Sequence, residues 1–162
     1  MTDDSETIRR FDLADEVATI RLAWRLALLA RPGDVLALSG GLGSGKTAFA
    51  RGFLRARAGD PHLEVPSPTF TLVQVYDLPG GRVWHLDLYR LEAPEEAWEL
   101  GIEEAFAGSI AIVEWPERLG ALLPAEHLAI DFAPGPAPGS RRVTLTGSPV
   151  WRDRLAGLGG DG

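Results

Sequence analysis

The sequence contains no cysteine and no asparagine, and it has a single lysine. Without cysteine the chain cannot form disulfides, cysteine-based zinc sites or a thiol nucleophile. No apolar run is long enough to cross a bilayer. The acidic segment 1–6 lacks the basic and apolar regions of a secretory signal. Together these absences predict a cytoplasmic protein that does not enter a membrane.

The absence of asparagine and the acidic net charge indicate which ligands the chain is expected to bind. Asparagine is required in the Asn-Lys-x-Asp motif that reads guanine, so a nucleotide site in this chain would favour ATP over GTP. The formal net charge of −7 argues against a free-standing nucleic-acid binder, which usually presents a basic face. A chain of 162 residues is typical of one domain. We predict a single domain over 1–156 and a flexible tail over 157–162.

The single lysine, Lys46, lies in a glycine-rich segment with a phosphate-binding pattern. Residues 40–47 match G-x-x-x-x-G-K-[ST], the P-loop motif, at every specified position. Its glycines allow successive backbone N–H groups to converge on one anion. At every other Lys or Arg position the chain has arginine. Because an ammonium group is compact and a guanidinium is bulky, a lysine at this one position favours a P-loop over a chance turn. The predicted phosphate ligands are Gly41, Leu42, Gly43, Ser44, Gly45, Lys46 and Thr47, and the Thr47 hydroxyl is also a predicted Mg²⁺ ligand.

The hydrophobic pattern predicts helices alternating with strands. A short edge strand is predicted over 7–11, and a helix over 13–29 with Asp12 as its N-cap. The apolar stripe of this helix includes Trp24, which is interpreted as core. The continuous apolar run Val35–Ser39 predicts a buried parallel strand that leads into the P-loop, and a helix follows over 46–57.

The second half of the chain predicts a further set of short elements. A hairpin is expected where two strand patterns flank the turn 78–81. The predicted strands are 70–77, 82–88, 110–115, 128–132 and 142–146, and the predicted helices are 94–100, 102–106, 116–123 and 151–158. The proline- and glycine-rich segment 133–140 is expected to be a loop. This alternation indicates an α/β fold.

Two of the apolar runs end in an acidic residue, which is the Walker-B pattern of nucleotide sites. The first run ends at Asp87 and the second at Glu114. Ligands bind beyond the carboxyl ends of strands in open α/β sheets, so both carboxylates are candidates for the Mg²⁺ or its waters. The pattern does not rank them. His85 is interpreted as a structural hydrogen-bonding residue, and no transition-metal site is predicted because no second histidine or cysteine stands at ligand spacing.

The segment 65–72 combines two prolines with three hydroxyl side chains. Pro66 and Pro68 stiffen the backbone around Ser67, Thr69 and Thr71. The segment fits an ordinary surface turn. It equally fits a switch loop whose hydroxyls sense a γ-phosphate or Mg²⁺.

Four blocks of the sequence together resemble the TsaE (YjeE) family, the small bacterial ATPases of tRNA threonylcarbamoyladenosine biosynthesis. The blocks are the P-loop, Ser67-Pro68-Thr69-Phe70-Thr71-Leu72, His85-Leu86-Asp87-Leu88-Tyr89-Arg90-Leu91 and Ile112-Val113-Glu114-Trp115-Pro116-Glu117. The P-loop is shared by many families, whereas the other three blocks in this order are specific. The resemblance extends from about residue 7 to residue 146.

The resemblance implies a fold and assigns roles to residues. It implies a three-layer P-loop NTPase-like α/β fold whose mixed sheet has a parallel core and antiparallel flanking strands. It implies ATP and Mg²⁺ as ligands, with Thr47 and Glu114 on the metal. Asp87 would then orient or activate the attacking water, beside Lys46 on the phosphates. The remaining implied roles are switch residues at Ser67, Thr69 and Thr71, nucleotide contacts at Thr7 and at Arg142 or its neighbour Arg141, and a site-mouth or partner contact at Trp115.

The function implied by the resemblance is hydrolysis of Mg-ATP in support of a tRNA-modifying assembly. The implied partners are TsaD-type and TsaB-type subunits, with tRNA contacted only indirectly. Arg90 fits either a charge supplied to the transition state or a structural salt bridge. Two other classes remain open from the residues alone. One is a small-molecule P-loop kinase, and the other is a nucleotide-gated binding module with negligible turnover.

Overall fold

A seven-stranded sheet forms the centre of the protein, whose computed structural model describes residues 6–158. The strands are β1 (Glu6–Leu13), β2 (Val35–Ser39), β3 (Val73–Leu78), β4 (Gly81–Asp87), β5 (Ile110–Glu114), β6 (Leu128–Pro134) and β7 (Arg141–Gly147). The helices are α1 (Glu16–Leu29), α2 (Lys46–Ala58), α3 (Ile102–Phe106) and α4 (Pro149–Leu155), with 3₁₀ segments at Pro94–Leu100 and Pro116–Leu122.

The sheet has a parallel core and antiparallel flanks. The strand order is β1-β7-β6-β2-β5-β4-β3. The four neighbours β6, β2, β5 and β4 pair in parallel, while β3 on one side and β7 with β1 on the other pair antiparallel. This arrangement confirms the predicted mixed sheet and places β1 at an edge, as its pattern indicated.

Helices cover both faces of the sheet and bury two separate cores. On one face α1, α2 and α4 pack over strand residues that include Leu36 and Leu38. On the other face α3 and the two 3₁₀ segments pack over Val35, Ala111 and Val113. Consecutive residues of the parallel strands thus enter different cores, which is why these strands read as continuous apolar runs. The three-layer prediction is confirmed.

Helix α1 begins later than the sequence pattern predicts. Asp12 is not its N-cap, because β1 continues to Leu13 in register with β7. The N-cap is Asp15, whose carboxylate accepts a hydrogen bond of 2.9 Å from the backbone N–H of Ala18. Both aspartates suit a helix start, and strand pairing decides between them.

The buried face of α1 is also different from the predicted one. The predicted stripe contains Val17, Trp24 and Leu28, yet these side chains are exposed, Trp24 by 37 %. The core assignment of Trp24 is therefore wrong. The buried residues are Thr19, Leu22, Ala23, Leu26 and Ala27. At the crossing with α2, a Cβ on Gly52 would stand 3.2 Å from the Ala23 Cβ, so the two helices approach through small residues rather than through the largest apolar ones.

The hairpin of β3 and β4 is confirmed, but β3 starts at Val73 instead of Phe70. Leu72 has a left-handed φ of 67°, which an extended strand cannot accommodate. Phe70 lies before this break and is 83 % exposed. The residues between α2 and β3 therefore form a long loop that includes all of the segment 65–72.

The last described residues of the chain pack against the hydrophobic core. Helix α4 spans Pro149–Leu155, three residues shorter at its end than the predicted helix 151–158. Gly157 lies in a turn and Leu158 is buried, while residues 159–162 of the predicted tail lie outside the described residues. No helix among residues 6–158 combines the length and the apolar character that a bilayer crossing requires.

Candidate functional site

The carboxyl ends of three adjacent parallel strands bring the P-loop and both candidate acids together. β2 runs into the P-loop, and Leu38 at its end is in register with Glu114 of β5. Glu114 is in turn in register with Asp87 of β4. Both carboxylates are buried, Asp87 to 7 % exposure and Glu114 to 2 %. The two Walker-B candidates of the sequence therefore stand side by side at one edge of the sheet.

The P-loop is wedged between α2 and β6. A Cβ on Gly40 would lie 2.8 Å from the carbonyl oxygen of Phe132 and 2.7 Å from the Ser44 Oγ, so only glycine fits this position. Gly45 precedes α2 with a φ of 109° and no side-chain hydrogen bond caps the helix. The backbone N–H groups of the first turn of α2 are thus left for an anion.

Lys46 is held against the loop and beneath an aromatic ring. Its Nζ donates to the carbonyl oxygen of Gly40, lies 3.4 Å from that of Gly41, and stands 3.6 Å from the centre of the Trp115 ring. Burial lowers the pKa of Lys46, and the carboxylates of Glu114, Glu117 and Asp87 oppose that effect. Within residues 6–158 the hydrogen bonds of the ammonium go to neutral carbonyl oxygens, so its charge is available to a phosphate.

Thr47 and Glu114 form a pair of oxygen ligands suited to Mg²⁺. The Thr47 hydroxyl donates to Oε1 of Glu114 at 3.3 Å. Among residues 6–158 no three histidine, cysteine or acidic side chains cluster as a metal cage. Mg²⁺ is usually bound through one or two carboxylates together with waters and substrate phosphates, so one carboxylate and one hydroxyl beside a phosphate loop fit this ion.

The Asp87 carboxylate lines the same cavity as Lys46, Thr47 and Glu114. Its Oδ1 accepts a hydrogen bond of 3.2 Å from the backbone N–H of Tyr89. Burial raises the pKa of Asp87, and the neighbouring Glu114 carboxylate raises it further, while Tyr89 N–H, His85 and Lys46 act in the opposite direction. A buried carboxylate with a raised pKa accepts a proton more readily than an exposed one.

One cavity of about 350 Å³ joins these groups. It is lined by residues 42–47 of the P-loop and by Thr69, Asp87, Glu114 and Trp115. Trp115 has a left-handed φ of 60°, and its ring lies 5.0 Å from that of Tyr89. Both residues line the cavity, and of the two rings that of Trp115 lies over the ammonium of Lys46.

The segment 65–72 borders the same cavity. Ser67 and Thr69 line the cavity, and their hydroxyls are 2.8 Å apart. Thr71 accepts a hydrogen bond of 3.4 Å from Gln74 instead. At the end of the segment the Leu72 carbonyl accepts the backbone N–H of Asp87 at 2.9 Å. The loop is thereby tied to the strand that carries Asp87.

Comparisons with known proteins identify the family of this chain. A family model described as "Threonylcarbamoyl adenosine biosynthesis protein TsaE" matches residues 13–143. The chain belongs to the TsaE family. The TsaE protein of Rickettsia bellii is 38 % identical over 129 residues, which are 80 % of this chain and 86 % of that protein. The Bacillus subtilis TsaE protein is 41 % identical over 113 residues, or 69 % of each chain.

A solved structure extends the TsaE likeness to the fold. The crystal structure of YdiB from Bacillus subtilis aligns with a TM-score of 0.77 and 28 % sequence identity. The alignment covers 94 % of this chain and 93 % of that one. The likeness confirms the P-loop NTPase-like fold.

Two nucleotide contacts that the TsaE resemblance implied lie away from the cavity. Thr7 stands in β1 opposite Thr146 and does not line it. Arg142 pairs with Asp12 on the surface at 2.9 Å. Arg141 is the arginine on the P-loop, with Nε 2.8 Å from the Ser44 carbonyl oxygen and Nη2 2.9 Å from that of Gly43. Alternation along β7 separates the two arginines, and the sequence does not show which one faces the loop.

Two further contacts of this TsaE-family site were not predicted from the sequence. His85 Nε2 lies 2.6 Å from Oε2 of Glu114, and Arg90 lies over the exposed Phe70 ring with Cζ 4.8 Å from the ring centre. The spacing of His85 and Asp87, two residues apart in a strand, was the available signal for the first contact. The second contact depends on the turn at Leu72 and has no local signal.

Proposed function

We propose that this chain is a Mg²⁺-dependent ATP hydrolase that supports tRNA threonylcarbamoyladenosine formation. The observation that carries the proposal is the meeting of Lys46, Thr47, Asp87 and Glu114 around one cavity at the P-loop. The names of the TsaE relatives supply the pathway, and the absence of asparagine favours adenine over guanine.

In this proposal the P-loop holds the triphosphate. The amides of residues 41–47 and the Lys46 ammonium bind the phosphate oxygens. A second cavity of about 360 Å³ adjoins the loop and is lined by Gly43, Gly45, Asp15, Pro138 and Arg141, among others. We place the nucleoside there, because it begins where the phosphate cradle ends.

Thr47 and Glu114 would hold Mg²⁺ beside the phosphates. The ion held there would supply positive charge that offsets the negative charge developing on the phosphate oxygens. Asp87 faces the same cavity from the neighbouring strand and would position the attacking water and take its proton. Thr69 and Ser67 line the same cavity, and in this proposal they would act as switch residues that contact the γ-phosphate.

We further propose the cellular setting that the family resemblance implies. The partners would be TsaD-type and TsaB-type subunits, with tRNA reached only through them and the reaction taking place in the cytoplasm. We retain the proposal of a single ATPase domain, with its predicted end at residue 156 moved to Leu158, because that side chain is buried in the core. The surface near the cavity carries exposed aromatic side chains, Phe70 and Tyr89, which suit contact with a protein partner.

Release of inorganic phosphate from Mg-ATP tests the proposed activity. We expect slow release by the chain alone and faster release when TsaD-type and TsaB-type proteins and tRNA are added, with no metabolite acceptor. Release that requires a small-molecule acceptor would favour the kinase class. ATP binding without release under any of these conditions would favour the nucleotide-gated binding module.

Paired substitutions of Arg141 and Arg142 test the placement of the nucleotide. Arg141→Gln should weaken ADP binding about tenfold, because the loop loses the charge-assisted hydrogen bonds that hold its Gly43 and Ser44 carbonyl oxygens in place. Arg142→Gln removes only an exposed ion pair, worth about 0–1 kcal/mol, and should leave ADP binding within twofold. Calorimetric titration with ADP measures both. A larger loss for Arg142→Gln would return the nucleotide contact to that residue.

A further inference from the structure

His85 is a fully buried imidazole behind the proposed ATPase site, and it does not line the P-loop cavity. Its side chain has 0 % exposure, and its Nε2 lies 2.6 Å from Oε2 of Glu114. Among residues 6–158 its Nδ1 has no hydrogen-bond partner. Glu114 is the one described residue with which the His85 ring forms a hydrogen bond.

The strand register explains how His85 reaches Glu114. Asp87 lies directly opposite Glu114 across the β4–β5 pair, and His85 lies opposite Ile112. Side chains two residues apart in a strand share a face, so His85 and Asp87 both stand on the face that carries Glu114. The His-x-Asp spacing thus places one group beside Glu114 and one a step behind it.

The hydrogen bond leaves the two oxygens of Glu114 with different surroundings. Oε2 is 2.6 Å from His85, while Oε1 is 3.3 Å from the Thr47 hydroxyl and faces the cavity. A carboxylate oxygen accepts, so the hydrogen of the short bond is carried by Nε2 of His85. The imidazole therefore bonds to Oε2 of Glu114 and leaves Oε1 available to a ligand in the cavity.

Lys46 and Thr47 line the same cavity as Glu114. The Lys46 ammonium donates to the carbonyl oxygen of Gly40, and the Thr47 hydroxyl donates to Oε1 of Glu114. With Oε2 bonded to His85, the Glu114 carboxylate is fixed at both oxygens and is not free to rotate within the cavity.

We infer that His85 is the positioning residue for Glu114, which it holds turned toward Thr47 and the proposed Mg²⁺ position. This inference rests on the proposed function, in which Glu114 and Thr47 are the metal ligands. It assigns His85 no contact with substrate and no proton transfer. Outer-shell partners of metal ligands typically contribute about 10- to 100-fold to metal affinity, and we expect an effect of that size.

Three variants separate positioning from packing. His85→Gln places an amide N–H near the original Nε2 position and keeps the donor. His85→Asn places its amide near the Nδ1 position and leaves Oε2 without a donor. Val83→Ala is the matched control, because Val83 is equally buried on the same strand and face, two residues earlier, and is in register with Ile110, four residues before Glu114. His85→Leu, apolar and of similar size, replaces His85→Asn if that variant does not fold.

The measurement is binding of Mn²⁺, followed by electron paramagnetic resonance in the presence of ADP, together with ADP affinity in EDTA. We expect Mn²⁺ affinity to fall about 10- to 100-fold in His85→Asn and to stay within about threefold of the parent in His85→Gln and Val83→Ala. ADP affinity in EDTA should be unchanged in all three, because no metal is then involved.

The opposing outcomes are distinct. Parent-like Mn²⁺ affinity in both His85→Asn and His85→Leu overturns the inference and leaves the proposed function intact. An equal loss in Val83→Ala, or a parallel loss of ADP affinity in EDTA, assigns His85 to packing alone and also overturns it. Absence of ADP-dependent Mn²⁺ binding in the unaltered chain overturns the proposed metal site itself, and the inference with it.

Discussion

Substitution of Lys46 by arginine is expected to lower ATP hydrolysis by about 10²–10³-fold, although the charge is kept. The Lys46 ammonium lies between the carbonyl oxygens of Gly40 and Gly41 on one side and the Trp115 ring on the other. A guanidinium is planar and wider than this space, and its fixed fork cannot replace a point charge that moves onto a phosphate. Lys46→Arg leaves the chain without lysine, so the result also tests whether hydrolysis requires the single lysine of the sequence.

Two further variants make the Lys46 result specific. Lys46→Met removes the charge and keeps the length, and it should reduce both ATP affinity and phosphate release. Arg55→Lys makes the reverse exchange on the same helix, where Arg55 donates to the Leu63 carbonyl at 3.0 Å and does not line the P-loop cavity. It should leave hydrolysis within twofold. Phosphate release at saturating ATP and calorimetric ATP titration measure the three variants, and full turnover by Lys46→Arg would contradict the assigned role of the lysine.

The predictable parts of the site are those encoded by neighbouring residues. A phosphate loop is a continuous segment whose glycines and lysine have fixed offsets, and its motif can be read directly. Asp87 and Glu114 each end an apolar run, and parallel pairing then brings strand ends to one edge. The sequence does not give their mutual register, and the pairing of β4 with β5 is what places both carboxylates at one cavity.

The parts that sequence patterns mispredicted depend on contacts between distant segments. The stripe of α1 was assigned to the side with the largest apolar residues, yet the helix turns Ala23 toward Gly52 because close approach to α2 requires small side chains. Phe70 has strong strand propensity, but the left-handed turn at Leu72 excludes it from β3. In each case tertiary packing overrides a local preference.

Asp87→Asn is expected to have opposite effects on activity and stability. Phosphate release should fall by about 10²–10⁴-fold, the usual contribution of a positioned acid or base, because an amide cannot take a proton from water. The free energy of unfolding at neutral pH should rise. Burial and the nearby Glu114 carboxylate raise the pKa of Asp87, so its ionised form is less favourable in the folded protein than in the unfolded chain.

The direction of the Asp87 pKa shift determines how the stability gain of Asp87→Asn depends on pH. The folded state binds the Asp87 proton more tightly than the unfolded chain does, so stability of the parent falls as pH rises from the ordinary aspartate pKa, about 4, through the raised pKa. Asp87→Asn removes that fall. Its gain in Tm should be absent below about pH 4, should grow with pH, and should level off once Asp87 is fully ionised. Thermal unfolding followed by circular dichroism across this range measures the gain.

Two control substitutions distinguish the role of Asp87 in hydrolysis from its effect on stability. Partial desolvation also raises the pKa of Asp131, an exposed residue in the middle of β6 that does not line the P-loop cavity. Because solvent screens an exposed carboxylate, Asp131→Asn should show only a small pH-dependent stabilisation of the same sign, with hydrolysis unchanged. Glu114→Gln should raise the Mg²⁺ concentration needed for hydrolysis, whereas Asp87→Asn should leave it unaltered. If Asp87→Asn shifts the Mg²⁺ requirement and Glu114→Gln does not, the two acids exchange roles, and the water would be positioned from β5 instead of β4.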